Sequence, residues 1–234
     1  MQSLKNKVRK LLASKNKKNI LDIIALSHLD PMVTMYLPWT SSSLRPSALV
    51  KILNDIIVNK KKNIIEFGSG ISTIYIASLI RNIDIDNKII FYSVDHNENW
   101  INILKNILSK LNLSGNVKFV CASLEGTNLA LENTDWYSEK ILNKQKFKGD
   151  FDLILIDGPL AYTKELELSR YPAIPYLHNN RLISNNVSIY FDDIDRAGEE
   201  KIVKILEEKY GYKFIRNYLE GSIAISFNGT AFNI

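Results

Sequence analysis

Two glycines and a few acids offer most of the chemistry legible in the chain. The run Ile64-Ile-Glu-Phe-Gly-Ser-Gly-Ile-Ser-Thr73 ends a short apolar stretch and opens a helical one. Gly68 and Gly70 permit a sharp turn and a close approach of backbone to a ligand. The unpaired N–H groups at the start of the following helix suit a carboxylate. Ser72 and Thr73 can add hydroxyl contacts, and Glu66 stands two residues before the first glycine. The next apolar run ends at Val94-Asp95-His96. An acid at that carboxyl edge can accept two hydrogen bonds from ribose hydroxyls, as in other nucleoside-binding α/β sheets. Alternatively, Asp95 caps the helix that follows. A lone Gly-x-Gly is weak; its distance from Asp95 gives it weight, and His96 shares that context.

A second group of acids leaves later apolar runs. Leu153-Ile-Leu-Ile156 passes into Asp157-Gly158-Pro159, and Tyr190-Phe191 into Asp192-Asp193. Acids at the carboxyl ends of buried strands lie where this architecture forms its ligand crevice. Clustered carboxylates repel unless a cation or proton separates them. Two readings are open. In one, a hard ion such as Mg²⁺ binds Asp157, Asp192 and Asp193 together with a substrate oxygen. In the other, Asp157 alone is the general base or substrate anchor, and Asp192 and Asp193 cap a helix beginning near Asp195. Arg170 could clamp an anionic substrate group or form a surface salt bridge. Trp39, with Thr40 and Ser41–Ser43, could fold over the pocket as a lid. Trp136 and Tyr137 sit in the long 122–150 connection and could line its mouth.

The positioning elements follow from periodicity. Leu49, Ile52, Leu53, Ile56 and Ile57 recur at helical spacing, which predicts a helix over 47–59. Pro46 suits its first turn, and Lys60–Lys62 suit its C-terminus. Short apolar runs at 63–67, 88–94, 117–121, 151–156 and 187–191 read as strands buried on both faces. Helices are predicted between them at about 72–82, 98–112, 161–170 and 195–209, the last ending at Gly211. The rhythm is that of a doubly wound α/β sheet. Tyr212–Tyr218 and Ser222–Phe227 are joined by only Leu219-Glu220-Gly221, so they must pair antiparallel.

These motifs resemble those of the class I methyltransferases that use S-adenosylmethionine (SAM), and among them bacterial small-molecule O-methyltransferases whose fourth strand ends in Asp-Gly-Pro. The likeness spans about residues 36–228 and rests on Glu66–Thr73, Asp95, Ile156–Pro159, Phe191–Asp193 and the terminal hairpin. It implies a seven-stranded sheet of order 3-2-1-4-5-7-6 with strand 7 antiparallel. It also implies that Gly68, Ser69 and Gly70 line the methionine part of SAM and that Asp95 holds the ribose. Ala122-Ser123-Leu124 would lie near the adenine, with Ser123 the candidate contact because Cys121 stands where many members carry an acid. Catechol O-methyltransferase and its relatives bind Mg²⁺ through similarly placed acids. This chain has Asp-Asp for their Asp-Asn, and Leu160 where they carry a lysine. Dinucleotide-dependent dehydrogenases fit less well, since Thr73 occupies their third glycine position and they lack the hairpin ending.

The resemblance implies SAM-dependent O-methylation of a small molecule or glycan precursor. Two alternatives are a protein or RNA methyltransferase that docks through a basic leader, and a non-catalytic SAM-binding protein. The leader is distinct: residues 1–18 hold seven basic side chains (Lys5, Lys7, Arg9, Lys10, Lys15, Lys17, Lys18) and no acid. The rest carries 23 basic against 25 acidic groups, so the main body is not a basic nucleic-acid surface. The leader could meet nucleic acid, a membrane surface or an acidic partner, or simply be solvated. The expected division is a basic helical extension and lid over 1–45 and a methyltransferase domain over 46–234. Hydrophobic residues are 46% and charged residues 24% of the 234, ordinary for a globular domain. A single cysteine excludes an internal disulfide and argues against structural zinc. With no spanning run and no secretion-signal order, the cytoplasm is the expected location.

Overall fold

The computed structural model describes residues 2–227, with side chains from Asn16 onward. The chain begins with helix α1 (Gln2–Leu29), a 3₁₀ turn (Asp30–Met32), an extended loop and helix α2 (Pro46–Val58). Pro46 occupies the first turn of α2 as expected, and Ala48, Leu49, Ile52, Leu53 and Ile56 are buried. Lys61 does not serve the end of α2 as a solvated cation. It is buried, and its Nζ donates to the Asn186 carbonyl at 2.8 Å. Helix α1 is fastened by its second half. Asp22 accepts from Arg45 and from Ser47 Oγ, and Lys18 Nζ pairs with Asp195 at 3.1 Å. The leader side chains of Lys5, Lys7, Arg9, Lys10 and Lys15 lie outside the described residues.

Next come β1 (Asn63–Phe67), α3 (Ile71–Ile83), β2 (Ile90–Asp95), α4 (Glu98–Lys110) and β3 (Lys118–Cys121). A small hairpin of β4 (Leu124–Gly126) and β5 (Asp135–Tyr137) and a short α5 (Glu139–Lys144) fill the long connection. The chain then runs through β6 (Phe151–Ile156), α6 (Ala173–Asn179), β7 (Ile183–Phe191), α7 (Ala197–Tyr210), β8 (Ile215–Asn217) and β9 (Ile223–Phe227). The large sheet has order β3-β2-β1-β6-β7-β9-β8, with β9 antiparallel to both neighbours and the other pairs parallel. Counting only its own strands, this is the expected 3-2-1-4-5-7-6. Both faces are buried: Ile65, Ile154 and Ile156 enter one apolar cluster, while Ile64, Leu153 and Leu155 enter the other.

The predicted helix at 161–170 is absent. That segment forms successive turns, and a helix starts only at Ala173. Its polar groups are diverted from a helical ladder, with Ser169 Oγ donating to the Leu160 carbonyl at 2.9 Å and Arg170 Nε to the Pro159 carbonyl at 3.1 Å. Pro172 lacks the N–H needed inside a helix, and α6 begins after it. Gly211, at φ +74°, ends α7 as expected. Among the described residues no helix is long and apolar enough to cross a membrane.

Candidate active site

The carboxyl ends of β1, β2, β6 and β7 open onto one cavity of about 670 Å³, a size suited to a small-molecule site. Gly68 makes the first bend. Its φ is +97°, and its N–H donates to the Val94 carbonyl at 2.8 Å. A Cβ there would stand 2.8 Å from the backbone of Asp157 and Gly158, and one on Gly158 would meet Tyr137 Oη at 2.5 Å. The two loops therefore touch backbone to backbone, with no room for a side chain at Gly68 or Gly158.

Asp95 lies beside that bend. Its Oδ2 accepts from the Ser69 N–H at 2.9 Å and its Oδ1 from the Asn97 N–H at 2.8 Å. It does not cap α4; Asn97 does, accepting from the Trp100 N–H at 3.1 Å. Trp100 in turn donates from Nε1 to the Ser69 carbonyl at 2.8 Å, bracing the glycine loop. Gly68, Ser69, Gly70, Ser72, Asp95, His96 and Asp157 all line the cavity.

Glu66 and Thr73 stand behind this surface. Glu66 accepts from Ser72 Oγ at 2.9 Å, Ser93 Oγ at 2.7 Å and Thr73 Oγ1, while Thr73 Oγ1 also accepts from the Gly70 N–H at 2.9 Å. Burial pushes the Glu66 carboxyl up to about 7 against the pull of those hydroxyls. Both residues shape the bend and do not face the cavity. Ser123 is exposed and outside the lining, its carbonyl occupied by the Ser138 N–H. Trp39 packs against Tyr75, ring centroids 6.1 Å apart, and also does not line the cavity; its neighbours Thr40–Leu44 do. Trp136 is fully buried between Phe67 and Tyr176, away from any mouth.

The acids at the far side do converge. Asp157, Asp192 and Asp193 each place an oxygen within 4.8 Å of the others. Asp192 and Asp193 do not cap α7, which starts at Ala197 after Arg196 without a side-chain cap. Asp193 adopts φ +61°, and its carboxylate meets Arg170 Nη1 at 3.2 Å and Arg196 Nη2 at 2.9 Å. Arg170 is no surface residue. It is 4% exposed, and its guanidinium also faces Asp157 at 3.4 Å and Glu199 at 3.7 Å. That guanidinium lines the cavity while facing these acids.

Four carboxyls thus face two guanidiniums, leaving two negative charges in excess when all are ionised. Burial raises Asp157 to about 6 despite Arg170, Glu199 to about 7, and Asp192 well above the ordinary carboxylate range. Arg196, Glu199 and Tyr162 escaped sequence reading. An acid in the first turn of an amphipathic helix looks solvated, and only tertiary packing buries it.

No protein-family model matches this sequence, and no curated protein does. Solved structures do match its fold. An S-adenosylhomocysteine-bound methyltransferase from Podospora anserina, PaMTH1, is 17% identical, with 87% of each chain covered and a TM-score of 0.59. An O-methyltransferase from Bacillus cereus in complex with S-adenosylhomocysteine is 14% identical, with 91% of each chain covered and a TM-score of 0.56. The Streptomyces achromogenes O-methyltransferase TomG, in complex with SAM, is 11% identical over 87% of this chain and 96% of its own, with a TM-score of 0.51. The chain has the class I methyltransferase fold that these enzymes share.

Proposed function

We propose that this protein transfers a methyl group from SAM to a hydroxyl of a small polar acceptor. One observation carries the reading: a glycine bend and a strand-end carboxylate, Asp95, face a second acid, Asp157, across a single cavity. The bend and the start of α3 suit the amino-acid tail of SAM, and Asp95 suits its ribose. The bound S-adenosylhomocysteine and SAM of the similar structures support the same cofactor.

Methyl transfer from a sulfonium is a displacement at carbon. The acceptor oxygen bonds to the methyl carbon, the sulfur keeps the bonding pair, and the hydroxyl proton must leave. The chain's task is alignment and water exclusion. In this reading Asp157, in the cavity lining, takes that proton. With a pKa raised to about 6 it is ionised at neutral pH and close enough to neutrality to act as a base. A second reading is favoured by the convergence of the three aspartates. Their all-oxygen donor set and the two excess negative charges fit a hard divalent cation, which Asp157, Asp192 and Asp193 would hold. Such an ion would supply acidification of the acceptor hydroxyl.

A glycan or sugar acceptor is supported by the outer wall. Thr40, Ser41, Ser42 and Ser43 bring four consecutive hydroxyl side chains to the lining, and the Arg196 guanidinium lies 5.8 Å over the Tyr162 ring, where a sugar could meet both polar groups and an aromatic face. Calorimetry with SAM and S-adenosylhomocysteine, followed by labelled-methyl transfer to a panel of sugars, tests the proposal. Absence of binding by both ligands sinks it. Binding without any labelled acceptor favours a non-catalytic SAM-binding protein.

A further inference from the structure

Tyr137 lines the cavity, and the proposed chemistry has not used its polar atom. It is 1% exposed, and its hydroxyl has no hydrogen-bond partner among the described residues. A buried unpaired hydroxyl costs about 1–3 kcal/mol, so its retention needs a reason. The ring supplies none, because phenylalanine would pack equally well: it stacks on Phe67 at 5.9 Å and meets Trp136 edge-on at 5.7 Å. Those contacts, and the pairing of Tyr137 with Leu124 across the β4–β5 hairpin, fix where the hydroxyl ends.

It ends where the two glycine loops meet. A Cβ on Gly158 would lie 2.5 Å from Tyr137 Oη and 2.7 Å from Gly68 Cα. Tyr137 shares the cavity lining with Asp95, which faces the proposed ribose, and Asp157, which faces the proposed acceptor. The part of SAM between its ribose and its acceptor is the sulfonium centre.

We propose that Tyr137 is a cofactor-binding residue whose phenol oxygen faces the sulfonium and distinguishes SAM from its demethylated product. This rests on the cofactor reading above. The positive sulfur polarises the C–H bonds around it, and an oxygen lone pair can accept such contacts. The product thioether is neutral and offers much weaker ones. Burial and the surrounding carboxylates hold the phenol well above its ordinary pKa, so it meets the ligand as a neutral hydroxyl. Contact made with substrate and relaxed with product also favours turnover.

Titration calorimetry of wild type and Tyr137→Phe with both ligands tests this. Tyr137→Phe should weaken SAM about fivefold, the size of one ordinary hydrogen bond, and S-adenosylhomocysteine by less than about twofold. The free protein's Tm should hold or rise, since no protein partner is lost. Equal weakening of both ligands, unchanged SAM affinity, or a lower Tm of the free variant overturns the proposal while leaving the cofactor assignment standing. Wild type that binds neither ligand removes both.

Discussion

Individual residues here divide into those that line the cavity and those that hold them in place. Asp95 belongs to the first kind, and Asp95→Ala should lower SAM affinity at least tenfold by calorimetry while leaving the fold intact by circular dichroism. Asp157→Asn should reduce kcat by about 10²-fold or more, the range for loss of a general base, with SAM affinity within a fewfold of wild type. In the base reading, the rate of the wild type rises as pH passes through about 6. Glu66 belongs to the second kind. Its folded pKa of about 7 lies above the ordinary 4.5, so the folded state holds that proton more tightly than the unfolded state. The stability it contributes is full below about pH 4.5 and is lost as pH rises through about 7. The Tm of the free protein should therefore fall between pH 5 and pH 8, and Glu66→Gln should flatten the slope. An unchanged slope in the variant assigns it elsewhere.

At the scale of elements, the parallel core was legible because buried strands are continuous apolar runs, and the closing hairpin because a three-residue link leaves no room for a crossover. The glycine bend and Asp95 were legible for the same reason: they sit where such strands end. Less regular pieces were not. Strands β4 and β5 are three residues each, too short to show a period. The turns at 164–172 hide a buried arginine whose partners lie on other loops, so neither its burial nor its charge pairing is written locally. Contact between loops also sets what they tolerate. Gly158→Ala must push apart the backbone at Gly68 and the Tyr137 hydroxyl, and should cost about 2 kcal/mol or more, with SAM binding lost, as thermal melts and calorimetry will show. The fastening of α1 lies outside the cavity lining. Asp22→Ala unpairs Arg45 and Ser47 and should cost about 2 kcal/mol without changing affinity for SAM.

Across the whole molecule, charge is segregated. The leader is basic and the remainder slightly acidic, and α1 is tied down only from Lys18 onward among its described side chains. Deletion of residues 1–16 separates a small acceptor from a large anionic one. For a small acceptor, SAM affinity and kcat/KM should both stay within about twofold of wild type. Loss of acceptor binding alone would favour a protein or RNA substrate. Treatment with a chelator separates the two readings of the acid cluster: activity that persists supports Asp157 as an unaided base, and activity lost and restored by Mg²⁺ supports the ion. The hydroxyl wall has a consequence for diversification. It comes from the loop between α1 and α2, upstream of every strand in the sheet. In the proposed reading, part of the acceptor wall is therefore encoded apart from the glycine bend and Asp95, which would grip the methyl donor. A chimera that receives another loop at 33–45, grafted between the same two helices, should keep its donor and change its customer.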